Sequence, residues 1–201
     1  MFFKIFGIKV QITFLFVAFI AFVVSLKAPS NLLITIVSSL IHESGHLIMM
    51  LASGNKPKIV RFELTGINII RNQDMRVSNK NEILISLGGP LVNALVFVVC
   101  CVCLCFYNDG SIMTFACINL ILMTFNLLPI KRLDGGNVLY YLLTKKFDIS
   151  LSAKILNITS VLFISLIFIW GIYVLVSTRY NISIIIIAIF LTLSLFGDKE
   201  Y

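Results

Sequence analysis

Charge is scarce in this chain. Only 12% of its 201 residues are Asp, Glu, Lys or Arg, while 59% are hydrophobic. The mean hydropathy is +1.04. A soluble globule needs more polar surface than this, so the composition excludes one and points to an integral membrane protein. Histidine is scarcer still, with two copies. Cysteine comes in an odd number, five, which excludes a fully paired disulfide framework. Four of these (Cys100, Cys101, Cys103 and Cys105) crowd one short apolar stretch. They read as small apolar residues facing lipid or neighbouring helices. No internal repeat is visible.

What is present is apolar length. Six stretches are long enough to cross a bilayer, or nearly so: roughly 10–26, 32–52, 83–107, 112–128, 154–176 and 181–197. The predicted fold is an all-α polytopic membrane protein of six transmembrane helices. It forms one domain over residues 1–201, with no cleaved leader. The net charge of +7 is topological. If the amino terminus is cytoplasmic, Lys27 and Arg179 alone among the sixteen Lys and Arg fall outside. The positive-inside rule then sets both termini in the cytoplasm of a bacterial cell membrane. Anionic lipid is the expected contact, and a nucleic-acid role is excluded. Residues 55–80 form the largest polar interruption. Val60, Phe62 and Leu64 alternate with Arg61, Glu63 and Thr65, Gly66 follows, and Ile67 and Ile69 flank Asn68. That period of two predicts a small membrane-associated β-hairpin, whose edge can pair with an extended substrate segment. Phe2–Val10 carries a weaker strand pattern.

Both histidines lie in one five-residue motif inside the second stretch: His42-Glu43-Ser44-Gly45-His46. A charged side chain at the centre of a membrane helix costs about 2.5 kcal/mol or more, so the motif must return something. At i and i+4 the imidazoles sit about 6 Å apart along a helix and about 40° apart around it, and can share a metal. Glu43 is placed to act on a metal-activated water, as in H-E-x-x-H zinc hydrolases. Catalytic zinc sites usually take three protein ligands. No third histidine exists, and the cysteines lie towards the wrong side of the membrane. Among the nine carboxylates, Asp134 combines a helix break at Pro129, the flanking glycines Gly135 and Gly136, and the right depth. Glu82, at the entry to the third stretch, is the distant second choice. One zinc per chain is expected, held by His42, His46 and Asp134, with Glu43 as general base. Asn93, inside the third stretch, admits two readings: an interhelical hydrogen bond, or an amide directed at the cavity. Asn93 or Asn126 could donate to the oxyanion or hold the substrate strand. Ser and Thr in the late stretches, Thr159 and Ser160 among them, read as packing residues.

These residues resemble the site-2 protease family of intramembrane zinc metalloproteases. Three motifs match in order: His42 to His46, Gly88-Gly89-Pro90-Leu91-Val92-Asn93, and Asn126-Leu127-Leu128-Pro129 running on to Leu133-Asp134-Gly135. The resemblance implies zinc on His42, His46 and Asp134, Glu43 as general base, and substrate contact by Asn93 and Asn126. Within the family the chain is most similar to the branch of the stage IV sporulation protease, which releases a membrane-tethered pro-sigma factor. Members of that branch carry a CBS domain, and another branch carries a PDZ insertion. Neither is expected here. Where the family often has proline two residues before the aspartate, this chain has Arg132. The implied partners are a membrane-tethered protein substrate, the lipid bilayer and membrane regulatory subunits. A metal-ion transporter is the competing reading. It needs ionisable groups along a path, and the first, fifth and sixth stretches hold none in their interiors.

Overall fold

The structure is a computed structural model that describes residues 2–5, 8–13, 30–63, 66–70 and 77–196. Most of the span expected over 10–26 lies outside the described residues. Four strands and six helices are described: β1 (Phe2–Ile5), β2 (Ile8–Ile12), α1 (Ser30–Ala52), β3 (Ile59–Glu63), β4 (Gly66–Ile70), α2 (Asn79–Leu104), α3 (Gly110–Asn126), α4 (Asp134–Leu143), α5 (Ile149–Thr178) and α6 (Ser183–Phe196). They fall into two compact units, Met1–Phe125 and Asn126–Tyr201.

The first unit combines a sheet with the first helices. The strand order is β1-β2-β3-β4. β3 and β4 pair antiparallel from Glu63 opposite Gly66 to Ile59 opposite Ile70. The linking residues 64–65, where the sequence places the hairpin turn, lie outside the described ones. β1 and β2 pair antiparallel as well, whereas β2 and β3 run parallel. A parallel pair needs a long crossover, and α1 lies on it. Arg61 Nε donates to Gln11 Oε1 across that pair at 3.0 Å. β4 lies beside α1.

α1 and α2 pack closely because side chains are missing where they meet. A Cβ on Gly45 would collide with the carbonyl of Gly88, and one on Gly88 would sit 2.8 Å from Met49 Cγ. Glycine alone permits this approach. Ser78 opens α2 by accepting from the Asn81 N–H at 3.3 Å. Pro90 lies inside α2, so one backbone N–H is absent there. Asp109 caps α3 by accepting from the Ser111 N–H at 2.6 Å. Those backbone bonds hold its carboxyl below the usual carboxylate range. Asn119 of α3 is fully buried and donates to Ser38 of α1 at 3.0 Å and to the Phe115 carbonyl at 2.8 Å.

In the second unit, α5 packs against both α4 and α6. Gly171 of α5 sits against Ile184 and Ile185 at the start of α6. α5 ends at Arg179, whose left-handed φ of 64° turns the chain while its N–H bonds the Leu175 carbonyl at 2.7 Å. Ile169, Trp170, Tyr173 and Val176 are all more than 60% exposed. An apolar helix surface of this kind belongs in lipid.

Three described helices are long and apolar enough to cross a membrane: α1, α2 and α5. α3, with 17 residues, rises about 25 Å, and α6, with 14, about 21 Å, against a hydrocarbon core of about 30 Å. The expected fourth span, 112–128, stops early because Pro129 disfavours helical backbone before it.

Replacing Gly88 by Ala should destabilise the protein by about 1–3 kcal/mol, since the added methyl overpacks the α1–α2 contact. Gly110→Ala meets no neighbour within 4 Å and should stay within about 0.5 kcal/mol of the parent. Thermal unfolding of the detergent-purified variants measures both.

Candidate metal centre

α1 carries His42 and His46 one turn apart on the face turned to α2, where they are 6% and 9% exposed. Their Nε2 atoms lie 3.2 Å from each other. Two nitrogens each about 2.0–2.1 Å from a tetrahedral zinc would be about 3.3–3.4 Å apart. The pair therefore already has the separation that a shared ion requires.

α2 sets this geometry in two ways. The Ile85 carbonyl accepts from His46 Nδ1 at 2.7 Å. With its proton on Nδ1, His46 presents a bare Nε2 lone pair, as a backbone carbonyl behind a metal-bound histidine does elsewhere. Gly89 lies directly over the imidazole pair. A Cβ there would fall 2.6 Å from His42 Nε2 and would collide with His46 Nε2. The second glycine of Gly88-Gly89 thus leaves room where a ligand ion would sit, while the first lets the helices touch.

Glu43 follows His42 about 100° further around the helix and is half-buried. Ser44 donates to the Ile41 carbonyl at 2.6 Å and so faces back along α1. Asn93 is fully buried, and neither end of its amide has a hydrogen-bond partner among the described residues. The described structure therefore gives it no interhelical bond. Glu82 is buried in the first turn of α2.

The carboxylate expected as the third ligand lies in the second unit. Asp134 is the first residue of α4 and is half-buried. A carboxylate there is favoured by the helix dipole. The two glycines that follow are dictated by contact. A side chain on Gly135 would strike the Leu127 carbonyl, and one on Gly136 the Ile130 carbonyl. Asn126 closes α3, three residues before Pro129. Two imidazoles with one carboxylate, the set expected from His42, His46 and Asp134, are a donor set that catalytic zinc takes.

Sequence reasoning had no role for Asn119, although an amide inside an apolar run is the signal that drew attention to Asn93. Its partner Ser38 lies one turn before His42 on the same face of α1, and both residues are fully buried.

An apolar helix pair with an H-E-x-x-H motif and a carboxylate downstream defines a metallopeptidase type of site. Comparison with known proteins agrees. Peptidase family M50 matches residues 109–170. The zinc metalloprotease MJ0392 of Methanocaldococcus jannaschii is 28% identical over 166 residues, covering 76% of this chain and 48% of that protein. The chain thus spans about half the length of this relative. The solved site-2 protease of the same archaeon shares the fold with a TM-score of 0.67 at 24% identity, over 99% of this chain and 94% of that one. Part of the chain is thus similar to peptidase family M50, and its fold is similar to that of a solved site-2 protease. Three of its described helices are long and apolar enough to cross a membrane. Both named relatives are archaeal, and the sporulation branch draws no support from them.

Gly89→Ala should cut bound zinc to well under one-tenth per chain without unfolding the protein, because its methyl enters the space between the two Nε2 atoms. Metal analysis of the purified variant, with thermal unfolding as the control, tests this.

Proposed function

We propose that this chain is an intramembrane zinc metalloprotease that hydrolyses a peptide bond in or near a transmembrane segment of a membrane-tethered protein. The observation that carries the reading is the His42–His46 pair, held at a zinc-like separation of 3.2 Å inside an apolar helix. In this reading His42, His46 and Asp134 hold one zinc. A zinc in such a site supplies Lewis-acid polarisation and lowers the pKa of water towards about 7. Glu43 takes the proton of the attacking water and delivers it to the leaving amide nitrogen.

The substrate must present an unwound backbone, since helical carbonyls are already hydrogen-bonded. Two features suit that demand. Asn93 has an amide with no protein partner among the described residues, and Asn126 lies at the helix end before Pro129. We assign both to the substrate backbone. β4 ends the strand order and lies beside α1, so an extended substrate segment adding to that edge would lie near the histidine helix. The charge distribution supports a multi-pass topology with both termini cytoplasmic. The transport reading draws no support from the described residues, whose single candidate metal group is this one.

Glu43→Gln should retain zinc and lose turnover by at least a factor of 100. Asp134→Ala should lose zinc and turnover together. Comparison of new protein amino termini in cells expressing wild type or Glu43→Gln identifies the substrate. Termini within or beside a membrane span, present with wild type only, are the expected result. Identical profiles from two folded, zinc-loaded proteins would overturn the protease reading.

A further inference from the structure

We propose that Ser160 is a positioning residue for the zinc ligand Asp134, acting through the Lys131 backbone N–H. The inference rests on the reading of Asp134 as a ligand. Asp134 stands just beyond a non-helical bend, residues 127–133, that joins α3 to α4. Backbone bonds within it run from the Ile130 N–H to the Leu128 carbonyl at 2.8 Å and from the Leu133 N–H to the Ile130 carbonyl at 3.0 Å. Arg132 adopts a left-handed φ of 77° within it, which a residue with a Cβ adopts only when its surroundings impose it. Leu133, the residue at the N-cap position of α4, gives no side-chain cap.

α5 supplies the restraint. Ser160 is fully buried, and its hydroxyl accepts from the Lys131 N–H at 2.8 Å while donating to the Leu156 carbonyl at 2.7 Å. The second bond fixes the hydroxyl proton on the Leu156 side, which aims an oxygen lone pair at Lys131. Beside this contact, Ile130 is fully buried and Gly136 packs on its carbonyl. The bend is thus gripped on both sides, by a hydroxyl at Lys131 and by the first turn of α4 at Ile130. Asp134 lies three residues from the gripped amide, so freedom at Lys131 becomes freedom in the carboxylate. An apolar residue at 160 would fill the space but could not accept the bond, and the part-buried N–H would draw the bend towards another acceptor.

The test is zinc affinity, measured by chelator competition on the full-length protein in detergent, with the d–d absorption of the cobalt-loaded protein as the second readout. Ser160→Ala should weaken zinc about tenfold, within the range for losing a residue behind a ligand, and should alter the cobalt spectrum. Ser160→Thr, which keeps the hydroxyl, should restore both. Ser165 makes the same bond to its own helix, to the Val161 carbonyl at 2.7 Å, and is exposed. Ser165→Ala should change neither readout. If Ser160→Ala fails to fold, Ser160→Cys keeps the volume with a weaker acceptor and takes its place. Zinc affinity and cobalt spectrum equal to wild type in a folded Ser160 variant would overturn the proposal. Asp134→Asn, run in parallel, separates the two levels. If it weakens zinc and Ser160→Ala does not, the positioning role alone fails. If it too leaves zinc unchanged, Asp134 is not a ligand, and the donor set fails with the proposal.

Discussion

The contact between the backbones of α1 and α2 is the constraint on which the site depends. Gly45 and Gly88 have no side chains to hold the helices apart, so the Ile85 carbonyl comes within 2.7 Å of His46 Nδ1. A separation larger by one methyl group would break that bond, free the ring and release the tautomer. The same approach carries Gly89 over the two Nε2 atoms. Helix packing in lipid lacks the hydrophobic driving force that works in water and relies on close van der Waals fit and on polar links. Here both serve the imidazoles, and the buried Asn119–Ser38 bond adds a polar link one turn along α1.

Much of the site was legible in the sequence because its geometry is local. His46 follows His42 by four positions, and helix geometry converts that number into a shared face. The glycine pair and Pro129 are likewise local signals with fixed structural meaning, as is the alternation that marks β3 and β4. What was not legible is non-local. Nothing in residues 8–12 states that they will lie parallel to 59–63, because parallel pairing leaves no pattern at the scale of a turn. The Ser160–Lys131 bond spans 29 positions, and a serine in an apolar helix looks the same whether it bonds its own helix or holds a bend. Lengths were read least well. An apolar run counts residues on both sides of a helix end, so the stretch 112–128 outran the helix that stops at Asn126.

Arg132 shows what sequence leaves open at a single position. It departs from the proline common in the site-2 protease family, and the residues alone gave no account of the change. Its φ of 77° is closed to proline, whose ring fixes φ near −65°. The bend before Asp134 therefore follows a different backbone path at this position from any that a proline would permit. A buried hydroxyl on α5, rather than a ring in the chain itself, secures it.

The separation of the two imidazole nitrogens has a consequence for which ion the centre admits. Intrinsic affinities of nitrogen and oxygen donors favour copper over zinc, so discrimination has to come from geometry and supply. A flexible pair of histidines would adjust its bite to whichever ion arrived. This pair cannot widen freely, because one ring is tethered to the neighbouring backbone and the helices behind both are already in contact. The glycines that let the helices meet thus hold the pair near a tetrahedral separation and away from the shorter one, about 2.8 Å, that a square-planar ion would need. An ion that prefers a square plane would have to pull His46 against the backbone bond that holds its ring.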